Sequence, residues 1–138
     1  MDALQTIWAP RLLSILRIVA ALIFMEHGTQ KLLGFPASDQ PAPELLSLGG
    51  ISGILELVGG ALLVLGLFTR PVAFGLSGMM AVAYWMAHAP QNFFPVNNGG
   101  DAAILYCFVF LYLFASGPGP WSLDVWLRGK GEPAARTA

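Results

Sequence analysis

Four long apolar runs, separated by segments rich in proline and glycine, constrain this chain more than any other feature. They cover roughly residues 12–33, 51–68, 72–89 and 102–115. Each is near the ~20 residues that a helix needs to cross a ~30 Å hydrocarbon core. The fourth is the shortest, but Asp101 at its start can remain in the interface. The intervening segments GFPASDQPAP, TRP and APQNFFPVNNGG carry the proline and glycine punctuation that ends helices.

Composition agrees with that pattern. Only 11% of the 138 residues are charged, 56% are apolar, and 16 are glycine. A soluble domain of this length has too much surface to hide so apolar a composition. The sequence therefore predicts an all-α integral membrane bundle of four transmembrane helices over residues 1–128. A short interfacial segment at 121–128 has Ser122 as its N-cap, and a flexible cytoplasmic tail follows at 129–138. A cleavable signal peptide is not expected, because Asp2 stands where a basic region belongs and the first apolar run is too long. The net charge of −1 excludes a basic nucleic-acid footprint. One cysteine, Cys107, excludes an internal disulfide or a CxxC redox pair.

Arg11, Arg70, Arg128, Lys130 and Arg136 fall on one side if both termini and the second connection share it. The connections at 34–50 and 90–100 contain no Lys or Arg. The positive-inside rule then places both termini in the cytoplasm and the long loops outside a bacterial inner (plasma) membrane. Trp8, Trp121 and Trp126 fall near the inner boundary, where indole rings favour the headgroup layer.

Ionisable groups at membrane depth are costly, so each is a candidate for function. With this topology Glu26, His27, Gln30 and Lys31 lie in the outer third of helix one, Glu56 about two turns into helix two, His88 at the end of helix three and Asp101 at the start of helix four. Asn97 and Asn98 lead into that start. At about 100° per residue, Gly49, Gly53, Glu56 and Gly60 share one face of helix two. Ser77, Ala81, Tyr84 and His88 share one face of helix three, and Asp101, Leu105, Phe108 and Tyr112 one of helix four. Arg17, Ala21, Phe24, Gly28 and Lys31 form a stripe on helix one with His27 beside it.

Glu56, His27, Lys31, His88 and Asp101 are accordingly the candidates for proton and charge chemistry. Tyr84, Trp85, Asn98 and Gln30 are candidates for holding a cofactor. Each also has a structural reading. Glu56 can be a buried base or the ion-pair partner of Lys31 or Arg17, and its depth suits Lys31. Arg17 can snorkel to the inner headgroups, and a purely structural or lipid-contact role is the leading reading for it. The aromatic residues Tyr84, Trp85, Phe93 and Phe94 suit either a quinone ring or the interface belt. Two histidines without an attachment motif favour proton relay or hydrogen bonding over haem, and no metal site is expected. Cys107 reads as a small buried apolar residue.

The segments EHGTQKLLGF, GGISGILELVGGALLVLGLFTR and HAPQNFFPVNNGGDAAILY, followed by GPGPWSLD, resemble the DoxX family of small four-helix membrane proteins over about residues 14–125. The resemblance implies a redox association. DoxD-type relatives are linked to thiosulfate oxidation with electron delivery to quinone, and DoxX-type relatives to redox-defence assemblies with superoxide dismutase and a sulfurtransferase. The matching polar positions are His27, Lys31, Glu56, Asn98 and Asp101, the last often Glu in the family. Membrane lipid, redox or sulfur-transfer partner proteins, and an oligomeric state are compatible with that likeness. The leading expectation is a redox-associated subunit with a quinone or small-molecule site near the outer face. The alternatives are a non-catalytic scaffold for stress-defence partners and, third, small-molecule transport.

Overall fold

In the computed structural model, which describes residues 2–131, helix α1 (Ala9–Leu33) continues a π-helical turn at Leu4–Trp8 and has Pro10 in its first turn. It ends at Gly34, whose φ of +66° lets the chain reverse while its N–H reaches back to Gln30 O. Helix α2 (Leu48–Leu65) begins at Ser47, whose hydroxyl accepts from Gly50 N at 3.1 Å. Its end is set by Gly66, again left-handed. These caps explain why α2 lies three residues earlier than the expected 51–68: Leu48–Gly50 belong to its first turn, and Leu67 and Phe68 to the following turn.

Helix α3 (Thr69–Ala83) passes into a π-helical turn at Tyr84–His88, close to the expected 72–89. The connection at 90–100 contains a single helical turn, α4 (Pro95–Asn98). Helix α5 (Asp101–Ser116) and α6 (Leu123–Gly131) complete the order. Ser122 caps α6, accepting from Val125 N at 3.3 Å, and the terminal helix runs to Gly131, beyond the expected end at residue 128. Of the tail expected at 129–138, residues 132–138 lie outside the described residues.

The regular structure is helical throughout the described residues. α1 packs chiefly on α2, and α3 on α5, with smaller contacts between α2 and α3 and between α1 and α5. The first seam is close because it lacks side chains: a Cβ on Gly28 would stand 2.6 Å from Leu57 N and 2.7 Å from Gly53 O. Ala21, Phe24, Leu63, Ala73, Leu76, Phe110 and Leu113 form the core, with Phe24 and Phe110 edge to face at 4.9 Å.

The outside is apolar as well. Leu4–Leu33 and Leu48–Leu65 are each long and apolar enough to cross a bilayer, and only 22% and 33% of their most apolar stretches are buried. A helix at the heart of a soluble core would be mostly buried; these turn Val19, Ile23, Ile54 and Val58 outward. α5 is apolar but shorter. Its inward face corrects the expected stripe. Ala103, Phe110 and Leu113 are buried, whereas Leu105, Phe108 and Tyr112 are exposed, as is Asp101. Packing against Phe24 and α3 selected the face with the small Ala103, which admits close approach.

Candidate functional site

The last part of α1, the first part of α2, the last part of α3 and the first part of α5 line a cavity of about 640 Å³, within the ordinary size of a small-molecule site. α2 and α3 are antiparallel and joined by the short turn at Gly66–Phe68, so the first part of α2 faces the last part of α3. Ile51 and Leu55 from α2, and Met79, Met80, Val82 and Met86 from α3, supply apolar wall. The polar groups are His27 and Lys31 from α1, Ser52 and Glu56 from α2, His88 beyond α3, and Tyr106 from α5.

Lys31 is the centre of this polar set. Its Nζ lies 2.7 Å from Glu56 Oε1 and donates to Ser52 Oγ at 2.9 Å. Glu56 is 6% exposed, and its Oε2 is buried without a hydrogen-bond partner. The Gly28–Gly53 approach makes the pair: it brings the backbones close enough for Lys31, one helical turn beyond Gly28, to reach over α2. Of the two partners that the sequence offers Glu56, the structure selects Lys31.

His88 is held differently. Its Nδ1 lies 2.9 Å from the carbonyl oxygen of Asn98, and its ring stacks beside Tyr84 at 6.4 Å. Asn98, 4% exposed, braces the loop beneath it. Its amide donates to Asn92 O at 2.9 Å and to the Tyr84 hydroxyl at 3.5 Å, while its Oδ1 accepts from Gly100 N at 2.8 Å. His27 meets Tyr106 edge to face at 6.5 Å.

Four of the candidate residues, His27, Lys31, Glu56 and His88, therefore line one cavity. Others do not. Asn98 and Tyr84 support His88 from outside the cavity wall. Trp85 is 71% exposed and, with Tyr84 and Cys107, lines a separate space of about 290 Å³. Gln30 braces the loop after α1 by donating to Pro36 O at 3.3 Å. Asp101 is exposed at the start of α5 and lies outside the cavity lining. Ser52 and Tyr106 are additions. Ser52 was legible as the residue one turn before Glu56, whereas Tyr106 was not, because α5 is apolar on every side and its inward face is set by packing. Among the described residues no three His, Cys, Asp or Glu side chains gather to hold a metal ion.

The opposite end of the bundle holds a second polar assembly. Arg17 is completely buried and does not snorkel. Its Nε donates to Pro118 O and one terminal nitrogen to Val64 O, each at 2.8 Å, and the guanidinium also binds the carbonyls of Leu63 and Trp121. It thus satisfies the last turn of α2 and the GPGPW loop together, which a headgroup-seeking side chain could not do. Arg70 donates to the carbonyls of Phe114 and Ala115 at the end of α5. Asp124 accepts from Phe68 N at 2.8 Å and Thr69 N at 2.9 Å, capping α3 from a distant part of the chain. Partial burial pushes the Asp124 carboxyl up, but the Thr69 and Phe68 backbone donors and the charge of Arg128 outweigh it, so its pKa lies below the ordinary value. These three charges serve helix ends.

A family model described as DoxX matches residues 12–89. The chain belongs to the DoxX family. It is 45% identical to an uncharacterized protein of Haemophilus influenzae over 126 residues, covering 85% of this chain and 91% of that one. It is 32% identical to the Escherichia coli inner membrane protein YphA over 132 residues, 83% and 89% of the two chains. It is 29% identical to the Mycobacterium tuberculosis membrane protein Rv3486 over 128 residues, 79% and 77% of the two. No solved structure matches. The DoxX match contains Lys31, Glu56, His27 and His88, whereas Tyr106, Arg70's partners on α5 and Asp124 lie beyond it.

Proposed function

We propose that this DoxX-family membrane protein crosses the inner membrane four times, with both termini cytoplasmic, and binds a quinone in the cavity at its outer end. Three observations support the topology. The two spanning-length helices are apolar on their outer faces, a relative of nearly the same length is named an inner membrane protein, and Arg11, Arg70 and Arg128 lie toward the Arg17 end of the bundle. The positive-inside rule orients that end to the cytoplasm, leaving the Lys31–Glu56 cavity toward the outer leaflet.

The observation that carries the ligand assignment is the cavity's division into apolar walls and a polar edge. Ile51, Leu55, Val82 and Met86 line the cavity and are also exposed on the surfaces of α2 and α3, so a lipid-soluble ring can enter between them from the bilayer. Lys31 has used two of its three N–H donors on Ser52 and Glu56. The third, with the Tyr106 hydroxyl and the His27 ring, is available to the ring oxygens of a quinone. Charge developing on such an oxygen is stabilised by the Lys31 ammonium. Electrons reach the bound ring from a partner protein in this reading, which makes the chain a redox-associated subunit.

Purification in mild detergent with native lipids, followed by mass spectrometry of the extract, tests this reading. Quinone is expected in near-stoichiometric amount, and its content is expected to fall in folded K31M. Folded protein that carries no quinone and shows no saturable binding of a short-chain benzoquinone would overturn it.

A further inference from the structure

The fixed tautomer of His88 distinguishes between the two redox forms of such a ligand. A backbone carbonyl can only accept a hydrogen bond, so the 2.9 Å contact to Asn98 O requires a proton on Nδ1 of His88. In the neutral ring that leaves Nε2 as an acceptor. No protein group donates to it among the described residues, and the residue lines the cavity.

The other polar groups of the cavity do not discriminate. Lys31 donates to a carbonyl or to a hydroxyl oxygen alike. The Tyr106 hydroxyl can donate or accept, and among the described residues His27 has no hydrogen bond that fixes its tautomer. Glu56 Oε2 also lacks a donor, but that oxygen is buried out of reach, which leaves His88 Nε2 as the acceptor among the described residues that asks a ligand for a donor. A quinone offers two carbonyl acceptors and no donor, whereas the hydroquinone has two O–H groups. A carbonyl placed against Nε2 sets lone pair against lone pair, and a hydroxyl there completes the hydrogen bond.

We infer that the cavity selects the reduced, hydroxylic form of its ligand, with His88 Nε2 accepting one ligand O–H while Lys31 donates to a ligand oxygen. His88 is thereby the residue that determines redox-state specificity. The inference rests on the quinone reading above but goes further, since a site built only of donors would favour the oxidised form.

The variant H88N separates the two ring nitrogens. An asparagine amide can replace the Nδ1 donor to the Asn98 carbonyl, but it carries nothing at the position of Nε2. Affinities for a short-chain benzoquinone and for its hydroquinone are measured anaerobically in detergent, for wild type and H88N. The ratio of hydroquinone to quinone affinity is expected to fall about fivefold or more in H88N, the worth of one hydrogen bond. Quinone affinity should hold or rise. An unchanged ratio in folded H88N would overturn the inference while leaving quinone binding intact, whereas absence of binding of either form by wild type would overturn both readings. Ring ¹⁵N spectra of the wild-type protein provide a check that needs no His88 variant. Nε2 should resonate as a bare nitrogen and shift on addition of hydroquinone but not of quinone, and a protonated Nε2 in the free protein would refute the assignment.

Discussion

Lys31 Nζ stands 2.7 Å from Glu56 Oε1, tying the last turn of α1 to the middle of α2 while Glu56 Oε2 remains buried without a partner. The two members of this pair are not equivalent. Lys31 retains 33% side-chain exposure, and Glu56 only 7%.

Removing the lysine should therefore be worse than removing the carboxylate. K31M leaves a buried charge uncompensated, whereas E56Q leaves an ammonium that can extend toward the cavity mouth. K31M is expected to destabilise by about 2 kcal/mol, less than a fully buried pair because Lys31 is partly screened. E56Q should cost less, and K31M/E56M should recover part of the K31M loss. Thermal or SDS unfolding in detergent micelles measures the order; equal losses in both single variants would contradict it.

Arg17 should tolerate no replacement, including lysine. One guanidinium satisfies carbonyls on α2 and on the loop at 118–121, and an ammonium cannot reproduce that planar fork. R17K and R17M are each expected to cost about 3 kcal/mol or more. The check is the yield of monodisperse protein and the SDS unfolding midpoint, with R17K falling nearer to R17M than to wild type.

Asp124 should make stability depend on acid. Its folded pKa is depressed below the ordinary aspartate value of 3.8, so the folded state binds this proton less readily than the unfolded state. The stabilisation is fully present above that ordinary value and is lost as pH falls through the lower folded value. The difference in thermal midpoint between wild type and D124N should be constant near neutrality and should close only at acid pH below about 4. A gap that widened on acidification would reverse the assignment.

The α1–α2 seam should be intolerant of a single methyl group. G28A directs its Cβ at backbone atoms of Gly53 and Leu57, which cannot rotate away, so the helices must separate. A loss of about 1–3 kcal/mol is expected, together with weaker binding of the proposed quinone because Lys31 is drawn back from Glu56. G75A is the control, since a Cβ there meets nothing within 4 Å. Matching unfolding midpoints for G28A and G75A would refute the role given to the seam.

Much of the helix pattern was legible in the chain because hydrophobic runs and breakers act locally. Gly53, Glu56 and Gly60 are buried on the predicted face of α2, and Arg17, Ala21, Phe24 and Gly28 on that of α1. The seam glycines announced both. The face of α5 was not legible, because that helix is apolar around its whole circumference and periodicity cannot choose among equally greasy sides. Phe24 and α3 made the choice, turning Tyr106 inward and Asp101 outward. For Arg17 the structure selected the structural over the lipid-contact reading; the choice was not legible because its carbonyl partners at Leu63, Val64, Pro118 and Trp121 lie far away in sequence, and carbonyls leave no trace in composition.

By itself, then, the sequence determined the all-helical architecture, the apolar exterior and the approximate level of His27, Lys31, Glu56 and His88, since hydrophobicity and helical rise need only neighbouring residues. Tertiary structure decided which of these groups meet. It paired Lys31 with Glu56, withdrew Asp101 and Trp85 from the cavity and turned Arg17 into a helix-end clamp. Through one loop carbonyl it also fixed the tautomer of His88. Hydrogen bonds depend on distance and direction to within a few tenths of an ångström, and only the packed helices supply that.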